Sequence, residues 1–328
     1  MFRKLWKTIK FIIIVVIVLI CFPRSILPHK TSDQNQDDIE NYLKLNEKET
    51  RLIEFKDDEE SLKLKLIQLS IINDSRKKYK AGPVKLDILA SRLANKMSRE
   101  AAENDYIGHW DLAGEKPYHR YAFAGGYDHV SENTFGEWSS SKYVVSAANI
   151  SALMRSANNS FMSERAPNDG HKANTIEKSH NYIGIGFCLT GKQFRYYEEF
   201  IDRYLEFDKI PKEVRVDEPF SITVKTNGLS FLYYMIIYRD KFPSAMTPAQ
   251  IKRRGSYADF GDEDYQKIPA WDLSRYRNGT IYILPLKFNK EGLYYIQIFT
   301  DKKDMTGQSS LNTQGKTSQS GIVIKVNR

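Results

Sequence analysis

A chain of 328 residues with 41% hydrophobic and 12% aromatic content is long enough to bury more than one core and too apolar to be a disordered protein. Its formal charge of +8 is unevenly placed: residues 1–30 carry six Lys or Arg and no acid, residues 31–60 carry eleven acids against four bases, and the basic excess beyond them is scattered. No Lys/Arg block of the kind nucleic acid requires is present, so no nucleic-acid partner is expected, whereas the scattered excess suits an anionic cell-envelope component or lipid headgroups.

Residues 1–30 read as a signal peptide or an N-terminal membrane anchor. Arg3, Lys4, Lys7 and Lys10 precede an apolar run from Phe11 to Phe22 that Pro23-Arg24 ends. This run has the length of a signal-peptide core and falls short of the ~20 residues that span a bilayer. No small-x-small cleavage site follows, so both readings stand, and either one places the body outside the cytoplasm, secreted or anchored to the membrane by its N-terminus. Cys21 lacks the small residues that precede a lipidated cysteine. Cys188 is then the sole thiol of the exported body, in an apolar strand pattern that makes it a buried, inert side chain.

Residues 31–57 are an acidic, partly helical tether. Apolar stripes predict helices over Asp58–Lys78, through Leu62, Leu66, Leu69 and Ile72, and over Leu86–Glu103, through Leu89, Leu93 and Met97. A third helix is expected over Ser139–Met162 with Ser139 or Ser140 as its N-cap. Val130–Phe135 reads as a strand, and Tyr182–Leu189 with Phe194–Leu205 as a hairpin turned at Thr190-Gly191-Lys192. Helices on both faces of such a sheet make a three-layer α-β-α sandwich over residues 58–208. From 209 to 328 only strands are expected, among them Phe220–Val224, Phe231–Tyr238, Thr280–Phe288, Leu293–Phe299 and Ile322–Val326. They predict an all-β, immunoglobulin-like sandwich. The fold class is therefore α+β in two domains, the first expected to fold without the second.

Chemistry concentrates in two segments, Tyr106-Ile-Gly-His109-Trp110-Asp and Asn168-Asp-Gly-His171-Lys-Ala-Asn174, with Ser131-Glu132-Asn133 between them. Gly108 and Gly170 permit turns that aim His109 and His171 into one polar cleft. His119, His129 and His180 are expected at the surface or in support. Trp110 and Tyr118 are read as an apolar wall of the cleft, Asn133 as a holder of loop backbone and Asn174 as the tie of the loop that carries His171. Ser131 lies on a strand pattern with no sharp elbow, which speaks against a serine hydrolase.

The order of these pieces, from Asn73 and Arg76 through Gly-His109, Arg120, Ser131-Glu132-Asn133 and Gly-His171-Lys-Ala-Asn174 to Tyr182-Ile-Gly-Ile-Gly186, resembles the CAP superfamily. These are the SCP-like proteins related to cysteine-rich secretory proteins, antigen 5 and pathogenesis-related proteins. With one thiol in the body, the chain is closer to the bacterial branch than to the disulfide-stapled eukaryotic members. The resemblance implies the α-β-α fold and an extracellular protein whose cleft is lined by His109, His171, Glu132 and Glu164. That set could take a divalent metal, zinc or calcium. Three functions follow: a binding module for a lipid, sterol or envelope component; a metal-dependent hydrolase of peptide or envelope polymer, with Glu132 as its candidate general base; or a non-catalytic adhesion scaffold.

Overall fold

A computed structural model describes residues 32–255, 257 and 266–328; the expected signal or anchor segment lies outside them. By its contacts the chain divides into two units, residues 1–41 and 42–328. Among the described residues no helix is long and apolar enough to cross a membrane.

Helix α1 spans Ser32–Lys48. The stretch that follows it was expected to be a tether but is fastened to the body. Arg92 donates to the carbonyls of Asn46, Glu49 and Arg51, and buried Lys65 pairs with buried Asp57 at 2.7 Å. Helix α2 covers Glu59–Lys78 and starts where the Asp58 carboxylate accepts the Ser61 amide. Glu59 and Glu60 occupy its first turn and Arg76, Lys77 and Lys78 its last, matching the helix dipole at both ends. Helix α3, Ile88–Glu103, is capped by Asp87 in the same way.

The first sheet has the order β1-β3-β4-β2, built from Lys85–Leu86, Tyr182–Thr190, Gln193–Asp202 and His129–Trp138. Strands β3 and β4 form the predicted hairpin, with Gly191 at φ +53° in its turn. Helix α3 lies against one face. A Cβ on Gly184 or Gly186 would come within 2.2 and 2.1 Å of the Ala90 and Ala94 carbonyl carbons, so only glycine permits this approach. The short helix α4, Pro117–Phe123, shares that face through Arg120. Helices α5, Ala147–Ser163, and α6, Gly170–Thr175, cover the other face together with α2, whose Gln68 bonds to Met154 O and to the Tyr196 hydroxyl on β4. The result is a three-layer α-β-α sandwich.

Helix α5 begins later than the sequence pattern predicts. Tyr143 donates its amide to Gly191 O and its hydroxyl to Glu137, which holds residues 139–145 out as a loop with Val144 and Val145 exposed. Ser146, not Ser139 or Ser140, is the N-cap. Val144, which seemed to continue the helix stripe, faces solvent.

Two further sheets follow, β5-β7-β11-β10 and β6-β13-β12-β8-β9. The first joins Leu205–Phe207, Phe220–Thr226, Ile281–Leu286 and Arg277–Asn278; the second joins Glu213–Arg215, Ile322–Asn327, Gly292–Asp301, Phe231–Asp240 and Gln266–Pro269. Alternating residues of both, among them Ile222, Val224, Ile237, Leu284, Ile296, Ile298 and Ile324, meet in one apolar core. A second cluster joins the two regions: Leu89, Leu93, Tyr118, Tyr121, Val130 and Ile201 pack with Leu293, Tyr295 and Val323. The first domain was expected to fold without the second; the two regions share this cluster.

Candidate functional site

Strand β2 lies at one edge of the first sheet and carries Ser131, Glu132 and Asn133. Glu132 is buried on the face of α4. Its Oε1 accepts His109 Nδ1 at 2.8 Å, and its Oε2 accepts Arg120 at 2.7 Å. Arg120 also donates to the His109 and Glu115 carbonyls, and the Tyr197 hydroxyl donates to Gly108 O. The turn that presents His109 is thus fastened from beneath.

His171 is held in a parallel manner on the α5 side. Its Nδ1 meets Glu164 Oε1 at 2.6 Å, while Glu164 Oε2 accepts the backbone amides of His171 and Lys172. Phe161 stacks on the imidazole with centroids 4.8 Å apart. Buried Asn133 donates to His171 O, Thr175 Oγ1 and Glu198, and its Oδ1 accepts Asn174. Arg76 reaches the carbonyls of Thr175, Glu177 and His180, closing off the loop beyond α6.

A carboxylate at Nδ1 fixes each histidine in the tautomer whose Nε2 is a lone-pair donor. Every oxygen of the two glutamates accepts at least one hydrogen bond, and through these bonds both carboxylates orient the imidazoles. Among the described residues no three His, Cys, Asp or Glu side chains form a metal cage. The chemistry of the two Nε2 lone pairs is that of nitrogen donors that a divalent ion such as zinc would use.

Ser131, His180 and Asp202 line up in a serine-hydrolase sequence of contacts, with Ser131 Oγ 3.4 Å from His180 Nε2 and His180 Nδ1 2.6 Å from Asp202. Asn174 breaks that reading. Its Oδ1 accepts the Ser131 hydroxyl at 2.7 Å and lies 3.0 Å from His180 Nε2, so the serine proton is directed to Asn174 and not to the imidazole. His180 is 4% exposed and serves as a buried support of Asn174.

Three residues in and around the site gave no signal in the sequence. Tyr257, from the segment between β8 and β9, accepts the Glu132 amide at 2.8 Å and lies with its ring 4.7 Å from His109. Glu199 stands directly across the ladder from Glu132, buried, with neither oxygen hydrogen-bonded among the described residues. Burial, then the Glu132 charge, push its carboxyl well above the usual range and keep it neutral. Burial also raises the neighbouring Glu198 to about 7 against hydrogen bonds from Tyr196 and Asn133. Arg120 belonged to the motif, but its contact with both His109 and Glu132 shows only in the fold. The apolar wall expected of Trp110 and Tyr118 is absorbed elsewhere: Tyr118 stacks on Tyr295 at 4.1 Å, and Trp110 packs with Ile251 beneath Arg254.

Residues 69–200 match the profile of the cysteine-rich secretory protein family, CAP. This segment is a CAP domain. It shares 18% identity with an extracellular protein containing an SCP domain from Bacillus anthracis str. Ames, with 42% of this chain and 39% of that one covered and a TM-score of 0.31. An outer surface protein from Borrelia burgdorferi is similar at 19% identity over 43% of this chain and 92% of its own, with a TM-score of 0.33. The chain thus spans well under half of the Bacillus protein. A comparison with curated proteins finds no match.

Proposed function

We propose that this chain is an exported, non-catalytic binding module whose CAP cleft holds a divalent cation on His109 and His171. One observation carries the reading: both imidazoles are held at Nδ1 by a glutamate, which leaves each Nε2 as a nitrogen donor. Two imidazoles favour zinc over calcium, which prefers oxygen ligands. Export is supported by the basic and apolar N-terminal segment and by relatives described as extracellular and outer-surface proteins. The scattered basic excess favours an anionic envelope partner. A sterol or lipid in the cleft would need an apolar groove, and Trp110 and Tyr118 are committed to packing.

The C-terminal sheets support an immunoglobulin-like reading of residues 209–328. Their order, together with the parallel pairing of short β6 on the last strand, corresponds to the A-B-E-D and G-F-C arrangement of such sandwiches.

Calorimetric titration of the full-length protein with zinc tests the cleft. Binding at pH 7.5 should be lost in His109→Ala/His171→Ala and weakened at pH 5.5, where protonated imidazole cannot ligate. Zinc uptake unchanged in a folded double variant would end the proposal.

A further inference from the structure

Away from the histidine cleft, a cavity of about 890 Å³ opens where the CAP region meets the end of β8. One wall is Trp110, Lys116 and His119, and the other is built from Arg239–Met246 and the segment around Arg253 and Arg254. The walls are joined by backbone. Met246 donates to Leu112 O, and Gly114, at φ +78°, passes so near Ser244 O that a Cβ there would lie 2.1 Å from it.

Among the described residues the lining carries Lys116, Arg239, Lys241, Arg253 and Arg254 and one carboxylate, Asp240. That carboxylate is turned inward and answered locally. Tyr118 donates to its Oδ2 at 3.1 Å, His119 Nε2 lies 3.3 Å from the same oxygen, and Lys116 approaches to 3.7 Å. The Lys116 amide donates to His119 Nδ1, so the imidazole proton sits on Nε2, and burial keeps the ring neutral by lowering its pKa. Arg254 lies over the Trp110 indole, 5.4 Å from its centroid. Among the described residues, Lys241, Arg253 and Arg254 have no carboxylate partner. A concave site with low-dielectric walls and one sign of charge concentrates anions, and guanidinium forks match phosphate oxygens in pairs.

We infer that this cavity binds a phosphate-bearing ligand, a phosphate ester with a small organic part or the headgroup of an anionic phospholipid. Its volume exceeds what inorganic phosphate needs and suits a small molecule at a junction of two regions. Neither His109 nor His171 lines it.

The test is calorimetric titration of the full-length protein at low salt, with a chelator present so that the cleft takes no metal. The probes are inorganic pyrophosphate, glycerol phosphate and phosphatidylglycerol in mixed micelles. Submillimolar binding that falls at least tenfold in Arg253→Ala/Arg254→Ala, with an unchanged melting temperature and with loss on raising salt, is expected. Binding of glycerol phosphate assigns a soluble ester, and binding of phosphatidylglycerol alone assigns a lipid headgroup. No binding of any probe, or binding indifferent to the double variant, overturns the inference. So does binding that emerges only after Asp259, Asp262, Glu263 and Asp264 are neutralised, because the occupant would then be this chain's own acidic stretch.

Discussion

The CAP sheet and the C-terminal sandwich are buried to similar depth with opposite chemistry. The interior around the first holds Arg76, Arg92, Arg120, Glu132, Glu198, Glu199, His180 and Asp202. The core of the second is made of Ile, Val, Leu, Phe, Met and Tyr. An apolar core needs only shape and volume, whereas a charged one holds only while each charge has its partner. The lesson is that the first region has given up tolerance to fix two imidazoles, and the second supplies plain packing plus a shared cluster at the seam.

Substitutions can break or sharpen that contrast. Arg120→Ala should be the most damaging, about 3–5 kcal/mol, because it leaves Glu132 buried beside Glu199 without its cation; chemical denaturation reads this directly, and a loss under 1 kcal/mol would mean that the network is dispensable. Ile296→Ala, in the apolar core, should cost roughly 2–5 kcal/mol through lost burial and a cavity, with zinc binding retained in the folded protein.

The contrast in pH response comes next. Glu198 rises from 4.5 to about 7 on folding, so the folded state holds a proton that the unfolded state has released between those values. Stability contributed by this group is fully present below pH 4.5 and is lost as pH climbs to 7, up to roughly 3 kcal/mol across the window. Melts of Glu198→Gln should show that slope flattened, and an unchanged slope would refute the assignment. Ile296→Ala should shift the whole curve without altering its pH dependence. Smallest is Tyr257→Phe, which strips the Glu132 amide of its acceptor and should cost about 1 kcal/mol, as seen in a denaturation midpoint.

Much of the architecture was legible. Helices α2 and α3 announce themselves because Asp58 and Asp87 are N-caps followed by apolar stripes, and the β3-β4 hairpin because Gly191 takes the turn. The glycines before them singled out His109 and His171, although neither Gly108 nor Gly170 takes positive φ, and the family order of the motifs then pointed to Glu132 and Glu164. Helix α5 was overextended because Val144 continues a stripe with Ala148 and Ala152 that the bonds of Tyr143 interrupt. Tyr257 and Glu199 could not be read, since a tyrosine 125 residues from its partner and a glutamate inside a strand acquire meaning only through the ladder and the seam. The cluster at the seam was hidden for the same reason: Leu293, Tyr295 and Val323 look like any sandwich residues until they pack with Tyr118, which stacks on Tyr295.

The position of β2 at the edge of its sheet has one more consequence. A ten-residue edge strand is an open template on which a second chain could add its own strand, the first step of polymerisation. Tyr257 occupies one outward amide of this strand, that of Glu132, so the ring beside His109 also takes a position that an added strand would need.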